Sequence, residues 1–330
     1  ANTEETGHVL CPACAHINTR KEGSMRAYGR FLCLLFSLSP GLLASTSLAS
    51  TYLFNFHYFP IVAFGAGKGG SQWVTEVSIT NPQRVPITVA HRLSYNGYYY
   101  ERFDTVPAGK TVRWDNYLQQ FWGLTGNAGL YLKADPSFNG NLDSDCLAFA
   151  ASVKISNVGS PSGSFNMDVP SVDVLADFLG RWVAYFSGIR HFGQAGVSGY
   201  RTNVGIWNIG STATLRATLY DNEGNMRWQQ YITAERHKSL LIPLPDGISL
   251  DSGTLVVDPM GQFVDAVVYV SVVDNKTSDG LVRTPQTQSP DDIAKCGGVR
   301  LQSLATGPER PTTPAEADRR LEAVFFFGNP

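Results

Sequence analysis

Trp73-Val74-Thr75-Glu76-Val77-Ser78-Ile79-Thr80-Asn81 and Tyr200-Arg201-Thr202-Asn203-Val204-Gly205-Ile206-Trp207-Asn208 are two versions of one nine-residue string. Each reads aromatic, x, Thr, polar, Val, small, Ile, x, Asn, the alternation of a half-buried strand that ends on a turn residue. The offset of 127 residues also carries Gly97 to Gly224. A second strand follows in both places, Ile87 to Tyr95 and Thr214 to Tyr220, and each runs into a hairpin turn. Asn96-Gly97 and Asp221-Asn222-Glu223-Gly224 supply the residues that tolerate φ > 0 there. Further along, Val106-Pro107-Ala108-Gly109-Lys110 corresponds to Ile232-Thr233-Ala234-Glu235-Arg236. Gly129-Leu130-Tyr131-Leu132 corresponds to Gly253-Thr254-Leu255-Val256. Ala150 to Val153 with Asn157 corresponds to Tyr269 to Val272 with Asn275. Matching order with gaps confined to turns is the mark of a duplication.

The expected fold is therefore all-β: two tandem immunoglobulin-like antiparallel β-sandwich domains of about seven strands each. They occupy residues 51–175 and 176–288, and the period is too long for a solenoid unit, so each is expected to be self-sufficient. One short helix is predicted in the first domain, over Asp115 to Trp122, with Asp115 as its cap and Gly123 as its stop. The second copy has Pro243-Leu244-Pro245-Asp246-Gly247 in that place and cannot be helical there. The linker, Val172 to Gly180, is short, and its Leu175, Phe178 and Leu179 are expected to pack at the junction.

The string Gln72 to Pro82, the Pro107-Ala108-Gly109 turn and Ala151-Ser152-Val153 together resemble a tandem domain found in uncharacterised secreted bacterial proteins. The resemblance covers about residues 58–288. It implies an immunoglobulin-like sandwich, an extracellular adhesive, structural or accessory role, and no catalytic residues.

Composition agrees with a turn-rich β protein. Hydrophobic residues are 43% of the 330, charged residues only 16%, and glycines number 32. The formal net charge of -2, without Lys/Arg clusters, gives no field for nucleic acid. Residues 1–50 read as a leader region. Met25, Arg26 and Arg30 precede an apolar run from Phe31 to about Leu43, and Ser47-Leu48-Ala49 fits a cleavage site. A signal peptide of about 25–50 follows, with an uncleaved anchor as its rival and Ser37, Ser39 and Pro40 against a stable span. Cys11-Pro12-Ala13-Cys14 with His16 is half a zinc motif without a second pair, and these residues read as an over-long gene start. After leader removal Cys146 and Cys296 remain, either paired in an oxidising compartment or as two thiols. Residues 289–330 read as a flexible Pro/Thr/Ser-rich tail. Its Phe325-Phe326-Phe327 run is a β-prone segment that either adds to a sheet edge or folds back on its own domain.

Candidate chemistry is sparse. Gly65 to Ser71 lacks the Gly-Lys-Ser/Thr entry into a helix that a phosphate loop requires. No Gly-x-Ser-x-Gly elbow occurs, and His57, His91, His191 and His237 form no metal spacing. Asp143 and Asp145 are weak calcium candidates, and Asp221 with Glu223 is already explained by a turn. No cofactor is expected. The aromatics say more. Tyr98-Tyr99-Tyr100 follows a hairpin turn, with Trp114 and Trp228 as further ligand-binding candidates, while Trp73 and Trp207 are expected in the cores. The expected function is an exported, secreted or cell-surface (alternatively periplasmic) non-catalytic protein mediating protein adhesion or assembly. Glycan binding through Tyr98 to Tyr100 is the second reading, and a hydrolase with an unrecognised site the third.

Overall fold

The computed structural model describes residues 54–67, 70–159, 165–172, 178–193, 198–277 and 279–288. The leader, Leu175, Cys296, the tail with Phe325 to Phe327, and Lys68 all lie outside the described residues. The chain is a mostly β, antiparallel β-sandwich protein, with one short α-helix among the described residues.

The first half contains β1 (Phe56–Ala66), β2 (Gln72–Thr80), β3 (Ile87–Tyr95), β4 (Tyr98–Val106) and β5 (Thr111–Trp114). After helix α1 (Tyr117–Trp122) come β6 (Gly126–Lys133), β7 (Ala150–Asn157) and β8 (Phe165–Val169). The second half contains β9 (Phe178–Gly180), β10 (Val183–Ser187), β11 (Tyr200–Asn208), β12 (Ala213–Asp221) and β13 (Met226–Ala234). It continues with β14 (Lys238–Pro243), β15 (Gly253–Asp258), β16 (Val264–Asp274), β17 (Gly280–Arg283) and β18 (Gln286–Gln288).

One pairing scheme occurs twice. In the first half β4-β3-β6-β1 form one run and β5-β2-β7-β8 another, joined where the end of β1 touches β2. In the second half the runs are β13-β12-β15-β10 and β14-β11-β16-β17, with β18 added beside β10 and β9 beside β16. This is not immunoglobulin order, in which the first two strands are neighbours in one sheet. Here β1 takes β6 as its main neighbour, with seven paired positions against two with β2. Turn positions and alternation were readable locally, but they carry no information about which strands become neighbours.

The repeated string has a physical reason at each position. Val77 and Ile79 face the first core, and Val204 and Ile206 the second. Thr75 is fully buried, and its hydroxyl both donates to the Ala63 carbonyl and accepts from the Ala63 N–H, each at 2.7 Å. That bond satisfies β1 where it bends from one sheet toward the other. Thr202 donates likewise to the Arg190 carbonyl at 2.5 Å, at the same spacing along the chain. The terminal Asn81 donates from Nδ2 to the carbonyls of Val85 and Val106, and Asn208 to those of Ser211 and Ala234. Each Asn therefore fastens the next turn to the end of an edge strand, Asn81 to β4 and Asn208 to β13.

The two halves differ in what covers the outer face of this strand. On β2 that face holds Glu76, paired with Arg113 at 2.8 Å, and Thr80, bonded to Thr111 at 2.8 Å. On β11 the corresponding residues are Asn203, Gly205 and Trp207, and they turn toward the first half. The neighbouring β16 is buried on both faces over nearly its whole length, with Val268, Val270 and Val272 toward its own core. Val267 joins a junction cluster with Tyr58, Tyr131, Val172, Trp207 and Ile209, and Tyr269 joins the core of the first half. A β-carbon on Gly129 would lie 2.2 Å from the Trp207 ring, and one on Gly205 would lie 2.0 Å from the Tyr269 ring. Both glycines are thus required for close approach of a ring to backbone. Tyr58 and Tyr131 stack at 4.3 Å between centroids beside Trp207. Trp207, expected in a sandwich core, is instead the centre of the junction. The first core is also not closed by its own residues alone, since it includes Tyr269 and Val282 of the second half.

The helix is shorter than predicted. It starts at Tyr117 after Asn116, whose side chain makes no capping bond, and ends at Gly123 with φ 71°. Asp115 does not cap it, because its carboxylate is held at 2.7 Å by Arg113. Of the linker residues, Leu179 is buried in the second core and Phe178 belongs to β9, paired with β16.

Candidate functional site

The three tyrosines do not form one ridge. Strand alternation turns Tyr99 to the opposite face from its neighbours, where it packs against the junction cluster and lies 6.3 Å from His237. Tyr100 points inward against the first core, with Tyr95 and Trp122 each 6.3 Å away. Only Tyr98, 68% exposed, stands in solvent. Trp114 is half-buried between His91, Tyr117 and Phe121, and Trp228 packs on the second core. The tertiary structure therefore disperses these five aromatics rather than aligning their faces.

His91 lies inside this aromatic cluster and is fully buried, its Nδ1 bonded to the Tyr117 hydroxyl at 2.9 Å. Burial holds its pKa down at about 3. Burial, with Arg236 adding repulsion, brings His237 to about 4, and burial lowers His57 against the opposing effect of its bond to the Phe149 carbonyl. An unfolded histidine titrates near about 6.5, so the unfolded chain binds more protons below that pH. The stability these neutral imidazoles supply is complete above about 6.5 and falls as pH drops toward 3. Denaturant titrations at pH 7.5 and pH 5 are expected to show a loss of a few kcal/mol, on the order set by such shifts. A His91→Phe, Tyr117→Phe double variant, which removes both partners of one bond, is expected to flatten that dependence. An unchanged pH slope would remove His91 from the account.

The remaining candidates separate cleanly. Asp143 is exposed, the Asp145 side chain lies outside the described residues, and no cluster of metal-ligating side chains occurs among the described residues. Asp221 accepts from the N–H groups of Glu223 and Asn225, which fits its turn role. Cys146 is buried, and its candidate partner Cys296 is outside the described residues. His191 uses both ring nitrogens, accepting from Thr202 N–H at 3.1 Å and bonding the Pro245 carbonyl at 3.1 Å.

Two features that sequence reasoning missed are more distinctive. The first is a pair of nine-residue edge strands. β4 and β13 each pair on one side only among the described residues. β4 carries Glu101, Arg102 and Asp104, charges that discourage edge pairing. β13, Met226-Arg227-Trp228-Gln229-Gln230-Tyr231-Ile232-Thr233-Ala234, has one charge and exposes Met226 and Tyr231 at 59% each.

The second is a cleft of about 660 Å³ where β1, β7 and β8 meet the outer face of β11, β14 and β16. Ile61, Ile155, Met167 and Val282 make apolar wall, while Arg201, Asn203, Ser271 and Asn275 make a polar one. A signal for it existed in the repeat: Arg201 stands where the first copy has Val74.

No family model matches the chain, and no curated protein matches it. Solved structures give only distant likenesses. A Bacteroides uniformis beta-glucuronidase, covalently bound to cyclophellitol-6-carboxylate aziridine, is 10% identical over 73% of this chain and 27% of its own, with a TM-score of 0.17. The chain thus spans about a quarter of that protein's length. The coconut allergen cocosin is 9% identical over 78% and 96%, with a TM-score of 0.20. A Pleurotus ostreatus lectin in complex with GalNAc is 13% identical over 74% and 86%, with a TM-score of 0.14. At these scores the likenesses carry no argument about fold detail or function.

Proposed function

We propose that this chain is an exported, non-catalytic binding and structural protein, built from two copies of one β-sandwich unit and acting by assembly through a sheet edge. The observation that carries the reading is β13, a long edge strand with one charge and two exposed apolar side chains. An uncovered edge presents unpaired N–H and C=O groups, a ready template for an added strand, and proteins that stay monomeric usually block such edges. The recurrence of the pairing scheme and of the Thr and Asn bonds in both halves supports a duplicated unit. The packed junction supports the two units acting as one body. Dispersal of Tyr98, Tyr99 and Tyr100 leaves the glycan reading with less support than assembly.

Sedimentation velocity of the mature chain tests this. The parent is expected to self-associate with rising concentration, and Met226→Lys with Tyr231→Lys is expected to return it to monomer without loss of fold by circular dichroism. A parent that stays monomeric throughout, or a variant that associates equally well, would remove β13 from the proposal.

A further inference from the structure

The geometry points to a second, independent binding site in the cleft between the halves: we propose that it takes a small organic monocarboxylate with an apolar body. The carboxylate would sit on Arg201 and the body against Ile155, Met167 and Val282.

The case rests on a guanidinium that no described carboxylate contacts. Arg201 is the only Lys or Arg on the described lining, and it has five N–H donors. One reaches Asn275 Oδ1 at 3.2 Å, a neutral acceptor, and no described carboxylate lies within ion-pairing distance of the guanidinium. Asp274, whose charge favours the Arg201 cation, already receives the N–H groups of Lys276 at 2.7 Å and Thr277 at 2.9 Å. Asp246 lies on the same lining with interactions of its own and no pair to Arg201. A half-buried guanidinium that no carboxylate contacts costs stability that an incoming anion in direct contact would offset.

The surroundings narrow the anion. Arg201 is the one Lys or Arg on the described lining, and both ring nitrogens of His191 are engaged by backbone groups, an arrangement that suits a monoanion better than a phosphate dianion. The flat guanidinium fork matches a carboxylate in two parallel bonds. Asn203 and Ser271 are bonded to each other at 3.0 Å and complete a polar wall without adding charge. Opposite them, Ile155 and Met167 are nearly fully buried and offer no polar atoms but a thioether. A volume of about 660 Å³ lies inside the roughly 300–1,000 Å³ of small-molecule sites.

Calorimetric or NMR titration of the whole chain with 4-phenylbutyrate, and with its neutral amide, tests the assignment. Saturable binding of the acid is expected, with the amide at least about tenfold weaker, as loss of a charge-assisted bond implies. Arg201→Met is expected to remove the preference for the acid. Val273→Trp, which fills the cleft and leaves the charge in place, is expected to abolish binding of both probes and keeps the test decisive if Arg201→Met fails to fold. Equal binding of acid and amide, no saturation by about 10 mM, or unchanged affinity in Arg201→Met or Val273→Trp would overturn the proposal.

Discussion

Trp207→Ala is expected to cost about 3–5 kcal/mol, the range for emptying a fully buried aromatic site. Its ring fills the space between the halves, touching the stacked Tyr58 and Tyr131 pair and lying on the backbone of Gly129. Little can collapse into the vacancy, because the groups around it belong to sheets fixed by their own ladders. The variant is also expected to change the shape of unfolding. With the junction loosened, urea denaturation followed by tryptophan fluorescence and by far-UV circular dichroism should give two separated transitions where the parent gives one. Gly129→Ala attacks the same contact from the other side, since its β-carbon would sit 2.2 Å from the ring. The two changes are expected to be strongly non-additive, with Trp207→Ala relieving most of the cost of Gly129→Ala. Additive losses would mean that the ring and the glycine do not meet.

Asn81→Ala and Asn208→Ala are each expected to cost about 2–4 kcal/mol, because several buried backbone groups lose their partner at once. Asn81 donates to Val85 at 2.8 Å, Val106 at 3.0 Å and Pro107 at 3.3 Å, and accepts from Gln83 N–H at 2.9 Å. Asn208 donates to Ser211 at 2.9 Å and Ala234 at 2.7 Å, and accepts from Gly210 N–H at 3.0 Å. Similar losses at the two sites, measured by chemical denaturation, are the expected result. Aspartate is expected to do no better than alanine, since a carboxylate would keep the acceptor and face carbonyls with the other oxygen. A loss under about 1 kcal/mol at either position would show that water replaces the amide there.

Why these positions were legible is clear from their chemistry. Thr75, Val77, Ile79 and Asn81, with their counterparts 127 residues on, do the same work in both halves, so their types recur and the strand can be read from either copy. The turns at Asn96-Gly97 and Asp221 to Gly224 were equally plain, since φ is 49° at Asn96, 85° at Gly97 and 84° at Gly224. The helix lies where the sequence places it but starts later, because Asp115 is as suitable a partner for Arg113 as it is a cap. The aromatics depart from the expected ridge for another reason. A run of three tyrosines guarantees that one ring faces outward, and it says nothing about what the inner rings or the distant Trp114 and Trp228 will meet.

By itself the sequence determined the β class, the strand alternation, the turns and the repeated string, all set by neighbours a few residues apart. Tertiary structure alone decided the strand order, the docking of one sandwich on the other, and the cleft beside Arg201. The contrast between Glu76, Ser78, Thr80 and Asn203, Gly205, Trp207 was visible in the string. That Trp207 would lie against Tyr58, Gly129 and Tyr131 depends on contacts between segments about 75 to 150 residues apart, and no local pattern encodes which surface arrives there.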